Sequence, residues 1–293
     1  MTPAVPARYR GRFAPSPTGE LHLGSLTAAL GSWLLARQSG GQWLVRIEDL
    51  DPPRERPGMA DRHLRDLSAF GLESDAPPWR QSQRGEAYAA ALEHLRASGL
   101  AFPCRCSRSD LAASDGLHLA CVEHPSGTGT AWRVRLPREQ VCFQDRFRGR
   151  QCQHLGEVGD VVVRRADGPW AYQLAVVVDD AAQGISEVVR GADLLDSTPR
   201  QIALQALLGL PRPDYAHLPL LLDAAGAKLA KSLDACPVDA GDPLPALRRA
   251  YALLGQDSRL LEGYPRPDQA LLRALEGFDP ARVPARDQVL PAS

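Results

Sequence analysis

His22 and Gly24, in the run Leu21-His22-Leu23-Gly24-Ser25, have the residue types and spacing for nucleotide chemistry. Val5 to Phe13 can supply a strand, Pro15 and Pro17 stiffen an extended crossing, and Gly19 breaks it. Leu26, Leu30, Leu34 and Leu35 then repeat at helical spacing up to Gln38. The pair therefore sits just before a helix start, where unpaired N–H groups and the positive end of the dipole favour a phosphate. A glycine there lets an adenine or ribose come close to the backbone. An ordinary strand-to-helix turn has the same outline, so the pair is a candidate on chemistry alone.

Three further groups could act with it. Glu48 closes the apolar run Gln42–Glu48 in a carboxylate-rich turn, Arg46-Ile47-Glu48-Asp49-Leu50-Asp51, and ligands of open α/β sheets bind at such strand ends. A carboxylate there can hold an ammonium group or pair with Arg46, Arg54 and Arg56. Tyr172 and Arg190 are the donors of a possible anion site, in which the guanidinium grips a carboxylate through two parallel hydrogen bonds. Asp179, Asp180 and Asp193 are the internal partners that could take Arg190 instead. Lys228 and Lys231, three apart after a glycine-containing turn, could meet the phosphates of one nucleotide or mark a solvated loop.

Cys104, Cys106, His118 and Cys121 form Cys-x-Cys-x11-His-x2-Cys, which suits a tetrahedral Zn2+ site in a reduced compartment. His124 competes with His118 for the fourth position. Cys142 and Cys152 read as core residues.

Strand and helix patterns alternate from Arg8 to about Gly99, including helices over Met59–Phe70 and Gln83–Ser98, and imply a doubly wound parallel sheet. Residues 100–160 form a Cys- and Arg-rich insertion with strands over Ala131–Leu136 and Val141–Phe147. Alternation resumes over residues 161–235, with strands expected at Val161–Arg165, Tyr172–Val178, Glu187–Val189 and His217–Leu222, and a helix over Thr198–Leu208. Residues 236–293 carry helices over Pro243–Leu254 and Gln269–Leu275, and a loose tail is expected past Pro280. The 293 residues suffice for a large core, 44% of them are hydrophobic, and no apolar run reaches the ~18 residues of a membrane span. Met1 to Arg12 lacks an apolar core of the secretory kind, so a cytoplasmic protein without membrane association is expected. A net charge of −1 excludes a broadly basic nucleic-acid coat. The local arginines, Arg133 and Arg135, Arg146, Arg148 and Arg150, Arg164 and Arg165, are consistent either with an RNA backbone or with a solvated sheet face; the middle three would share one face of an extended strand.

Taken whole, Arg12-Phe13-Ala14-Pro15-Ser16-Pro17-Thr18-Gly19-Glu20-Leu21-His22-Leu23-Gly24-Ser25 resembles the "HIGH" signature of class I aminoacyl-tRNA synthetases in its glutamyl form, with Ser25 in place of the last histidine. Arg46-Ile47-Glu48-Asp49-Leu50-Asp51 resembles that branch too, and Lys228-Leu229-Ala230-Lys231-Ser232 resembles its "KMSKS" loop with Ala230 in place of the usual serine. The likeness runs from about Arg8 to about Leu254. It implies a Rossmann-like catalytic domain, with His22, Gly24, Lys228 and Lys231 on ATP and Lys231 stabilising charge on pyrophosphate. It assigns Arg12, Phe13, Ala14, Pro15, Ser16, Glu48, Tyr172 and Arg190 to L-glutamate.

An ordinary member continues into a helical anticodon-binding domain, whereas this chain stops at Ser293. That resembles a truncated glutamyl-synthetase-like family, which implies ATP-dependent activation of glutamate without tRNA. Transfer would go to queuosine at the first anticodon position of tRNA(Asp), by a monomer, with Mg2+ arriving on the ATP phosphates. In that family a Cys-x-Cys pair, a tyrosine and a further cysteine hold zinc; His118 falls at the tyrosine's spacing from Cys106.

Overall fold

The computed structural model describes residues 9–222 and 237–289. Its first half is β1 (Arg10–Phe13), α1 (Leu23–Gln38), β2 (Gln42–Ile47), α2 (Met59–Ala69), β3 (Trp79–Arg80) and α3 (Gly85–Ala97). β1, β2 and β3 pair in parallel, as alternating βα units require. β4 (Ala101–Cys104), β5 (Ala131–Val134) and β8 (Val161–Arg164) make a small antiparallel sheet that carries Cys104 at its edge. Between β5 and β8 lies a hairpin, β6 (Gln140–Asp145) and β7 (Gly149–His154). Then come α4 (Tyr172–Ala182), β9 (Glu187–Gly191), α5 (Thr198–Leu207), β10 (Asp214–Leu218), β11 (Leu221–Leu222), α6 (Pro243–Leu253), α7 (Pro267–Gly277) and β12 (Gln288–Val289).

β10 lies between β9 and β6, parallel to both, so the hairpin joins the main parallel layer. The two halves of that layer meet where the Ser186 amide donates to the Arg10 carbonyl at 2.9 Å, just ahead of β9. α1 is buried on nearly all sides, as expected of a helix apolar around its whole girth. Gly31 is the point of closest approach: a Cβ there would lie 2.8 Å from Leu218 and 3.2 Å from Leu254. Trp43, fully buried, stacks near-parallel to Phe13 at 6.5 Å and donates its indole N–H to Ser32. Phe13, Trp43, Leu30 and Leu34 belong to one core with Tyr251 and Leu254 from α6 and its end. A second core joins Tyr88 and Leu95 of α3, Val134 of β5, Val163 of β8 and Leu174 of α4.

The structure corrects several sequence expectations. Tyr172–Val178, expected as a strand, is the first part of α4, because Leu174, Ala175, Val176 and Val177 are all buried and a helix covered on every side shows no periodicity to distinguish it from a strand. The loose tail expected past Pro280 is anchored up to Val289: β12 pairs in parallel with β11, Asp287 pairs with Arg148, and Gln288 donates to the Leu253 carbonyl. Arg146 and Arg148 do not share a strand face with Arg150. They lie in the turn between β6 and β7, where Arg146 pairs with Glu187 and Arg148 with Asp287. Cys142 and Cys152 are not isolated core residues; directly opposite across the hairpin at a Cα–Cα distance of 4.1 Å, they form a disulfide. α1 starts at Leu23, ahead of the expected Leu26, because His22 caps it.

Gly41, directly before β2, lies beneath the carbonyl of Tyr9, and a Cβ there would lie 2.3 Å from that oxygen. Gly41→Ala must push β1 and β2 apart. It is expected to lower stability by about 1–3 kcal/mol, read from the shift in urea midpoint at unchanged m-value.

Candidate active site and metal centre

A cleft of about 1520 Å³ opens at the carboxyl ends of β1, β2 and β9, and every described residue assigned to glutamate or ATP lines it. Arg12, Phe13, Ala14, Pro15 and Ser16 come from β1 and the turn after it; Glu48 follows β2; Tyr172 opens α4; Arg190 is in β9. Lys228 and Lys231 lie outside the described residues, as does the unassigned Cys236. Pro237 forms an antiparallel bridge with His22 and also lines the cleft.

His22 holds an extended backbone, and its Nδ1 accepts from the Ser25 amide at 3.3 Å. In a neutral ring Nε2 then carries the proton, 3.1 Å from the Ser25 hydroxyl. The ring folds over Gly24, where a Cβ would sit 3.1 Å from Cε1. The glycine is thus set by the histidine that caps the helix, and the dipole's positive end opens on the cleft. His63 of α2, almost fully buried, holds the turn from the other side, its Nε2 2.7 Å from the Gly19 carbonyl.

Beneath the cleft residues of β1 and β2 lies an ion network. Asp180 of α4 accepts from Arg12 at 3.0 Å and from Arg46 at 2.7 Å, all three groups being buried. Burial pushes the Asp180 pKa up, but the two guanidinium groups outweigh it and hold the carboxyl below its ordinary value. Arg46 also reaches Gln183 at 2.8 Å and Glu48 at 3.1 Å. Burial raises the Glu48 pKa despite Arg46 and Arg12, so this carboxylate gains from a further cation in the cleft. Neither Asp179 nor Asp180 is the partner of Arg190: Asp179 takes Arg84, Gln81 and Tyr88 of the α3 region. Arg190 instead donates to His217 Nε2 at 3.1 Å, the Tyr172 hydroxyl at 3.2 Å, and Thr198 Oγ1 at 2.8 Å. Sequence reasoning missed Asp180 as a partner of Arg12 and Arg46, and missed His217 and Thr198 altogether. These contacts join distant elements and leave no local spacing to find.

The metal-ligating atoms of Cys104, Cys106, His118 and Cys121 all lie within 4.8 Å of one another, close enough to bind a metal ion; His124 is not among them. His118 faces Asp160 through Nδ1 at 2.9 Å, which leaves Nε2 toward Cys104 Sγ at 3.3 Å and Cys121 Sγ at 3.6 Å. A carboxylate on the far nitrogen is the usual outer partner of a ligating histidine. Gly159, at φ +72°, is required because a Cβ would lie 2.8 Å from the His118 carbonyl. Burial raises the Cys104 pKa, but the Cys106 amide and Arg133 outweigh it and draw the thiol down. Cys121 is pushed up to about 11, by burial first and then by the neighbouring sulfurs. Three sulfurs and an imidazole nitrogen gathered at one point form a donor set of the kind that holds a tetrahedral divalent cation. Cys106 also lines the cleft, so the metal centre borders the candidate active site.

The profile of the family described as "tRNA synthetases class I (E and Q), catalytic domain" matches residues 8–125 and 118–255, and the chain belongs to that family. Among its relatives, a protein of Xanthomonas axonopodis pv. citri (strain 306), named "Glutamyl-Q tRNA(Asp) synthetase", is 59% identical over 283 residues, 96% of this chain and 94% of that one. A protein of the same name from Cupriavidus metallidurans is 56% identical over 264 residues, 85% of each chain. The fold matches that of a glutamate tRNA ligase from Elizabethkingia meningosepticum CCUG26117, solved in complex with its amino acid, with a TM-score of 0.79 at 24% identity over 96% of this chain and 67% of that one. No helix among the described residues is long and apolar enough to cross a membrane.

Asp180→Asn leaves two buried guanidinium groups without their anion and is expected to cost about 3 kcal/mol. Because the folded pKa of Asp180 is lowered, its stabilisation is present above the unfolded value of about 3.9 and lost as pH falls through the folded value. Denaturant titrations across that acid range should therefore show the variant losing less stability than the parent.

Proposed function

We propose that this protein activates L-glutamate with ATP and transfers it to queuosine at the first anticodon position of tRNA(Asp), as a monomer in the cytoplasm. The observation that carries the reading is the pairing of opposite charges in one cleft: Glu48 on one side, Arg190 with Tyr172 on the other, and the His22-capped helix start beside them. Glu48 suits an α-ammonium group, and Arg190 with Tyr172 suits a side-chain carboxylate. The α-carboxylate then faces the nucleotide. The names of the relatives from Xanthomonas and Cupriavidus support the choice of acceptor.

In this mechanism the α-carboxylate oxygen attacks the α-phosphorus of ATP in line, forming glutamyl-adenylate and expelling pyrophosphate. The cleft supplies positioning and charge stabilisation, and no protein nucleophile is needed. His22 and Gly24 seat the nucleotide at the helix start, and Lys228 and Lys231 meet its phosphates. Mg2+ enters on the phosphate oxygens and water. A hydroxyl of the queuosine cyclopentene ring next attacks the activated carbonyl, its proton leaves, and AMP departs. Cys104, Cys106, His118 and Cys121 hold one structural Zn2+ at the edge of the cleft, where it fixes the loops on which RNA would rest.

Incubation with ATP, labelled glutamate and total tRNA from cells with and without queuosine tests the reading. Label is expected on the anticodon of queuosine-containing tRNA(Asp); label at a 3′ end, abolished by periodate, would assign ordinary tRNA charging instead. ATP–pyrophosphate exchange is expected with glutamate and no tRNA, because both substrates are bound by this one cleft. Lys231→Ala should slow exchange by roughly 10²-fold or more, and an unchanged rate would remove that lysine from the mechanism.

Purified protein should contain about one zinc per chain by elemental analysis. Cys104→Ser, Cys121→Ser and His118→Ala should each lower that content, whereas His124→Ala should not. Asp160→Ala should weaken metal retention by about 10–100-fold, measured by competition with a chelating dye. Transfer to tRNA should suffer more than adenylate formation; equal losses would mean that the metal supports the whole fold.

A further inference from the structure

Arg190 is held by a buried chain of contacts that ends outside the cleft. His217 of β10 and Asp145 at the end of β6 are both fully buried, with Nδ1 of the ring 2.6 Å from Asp145 Oδ2. The other oxygen of Asp145 accepts the amides of Phe147, Arg148 and His217 at 3.0, 2.9 and 3.2 Å. Such a carboxylate is an acceptor only, so the Nδ1 proton belongs to His217. Nε2 is then a bare lone pair, and it faces Arg190 Nε at 3.1 Å and Thr198 Oγ1 at 3.2 Å.

We propose that His217, fixed as the Nδ1–H tautomer by Asp145, is a positioning and specificity residue for the glutamate side chain. It takes up the Nε hydrogen of Arg190 and so decides which edge of the guanidinium faces the cleft. An arginine has five N–H donors in a fixed plane. Nε is spent on His217, and the two hydrogens of Nη2 on Thr198 Oγ1 at 2.8 Å and the Leu194 carbonyl at 3.3 Å. Nη1 points one hydrogen at the Tyr172 hydroxyl at 3.2 Å, which leaves its second. The carboxylate is therefore met by Nη1 and the Tyr172 O–H together, not by the two parallel bonds of a free guanidinium fork. A plane pinned along its far edge cannot turn to suit an amide NH2, which brings hydrogens where Nη1 already presents one. Burial and the Arg190 charge lower the His217 pKa against the pull of Asp145, which keeps Nε2 an acceptor near neutral pH.

This inference rests on the assignment of Arg190 to the glutamate side chain, and exchange kinetics separate the two. KM is independent of the fraction of a preparation that is folded, so it is informative even for a destabilised variant. His217→Ala is expected to raise the glutamate KM by about tenfold or more and to erode discrimination against glutamine, because a buried charged donor loses its acceptor; the ATP KM should stay within about twofold. His217→Gln, whose amide oxygen can accept from Nε, should restore most of the glutamate KM. A wild-type glutamate KM in His217→Ala, equal rises for glutamate and ATP, or no difference between the Ala and Gln variants overturns the proposal. Arg190→Ala is the control: if it leaves glutamate KM and selectivity unchanged, the assignment of Arg190 itself fails.

Discussion

Asp180 stands between Arg12 and Arg46, and the arrangement of the cleft depends on it. The three groups come from α4, β1 and β2, which the sequence spaces far apart, and all are buried where unpaired charge is costly. One carboxylate with two guanidinium partners fixes the relative height of two strands and a helix. Arg46 then reaches on to Glu48, so a carboxylate that lines the cleft is placed by the same network. α4 also starts with Tyr172 and so carries a cleft residue at one end and the anchor of the network further along. Asp179 extends the same logic to α3 through Arg84, Gln81 and Tyr88.

In the cleft and in the metal cluster beside it, a histidine is oriented by its neighbours. His22 accepts the Ser25 amide, caps α1 and lies over Gly24; His118 is oriented by Asp160 toward three sulfurs. Each ring is held at one nitrogen so that the other faces a defined direction. The hairpin of β6 and β7 lies within the segment between the two halves of the catalytic fold, yet it pairs with β10 and supplies Asp145 beneath Arg190's partner His217. Segment order along the chain and membership of the catalytic layer are therefore different things in this protein.

Much of the site was legible because its chemistry is local. His22 and Gly24 work as a pair two residues apart, since a cap and the glycine beneath its ring must be neighbours. Cys104 with Cys106, and His118 with Cys121, come as close pairs because each closes on the same point from a short turn. Gln42–Glu48 and Glu187–Val189 could be read as strands because a strand buried in a parallel sheet is built around a short apolar run, here Trp43-Leu44-Val45 and Val188-Val189. The same rule misled at Tyr172, where a helix enclosed on all sides is also an unbroken apolar run. The tail past Pro280 misled for another reason: its anchors, Leu220, Arg148 and Leu253, belong to other parts of the chain.

The kinds of chemistry available, the βα alternation of the first half and the place of Glu48 at a strand end are all written in the sequence, because these follow from side-chain type and from periods of a few residues. Tertiary structure alone decided which charges neutralise which. Arg12 and Arg46 share Asp180, Arg190 turns to His217 and Thr198, and Cys142 meets Cys152 across a hairpin. A buried ion must find a partner, but its choice among several carboxylates is settled by distances of about 3 Å that only the packed chain brings about.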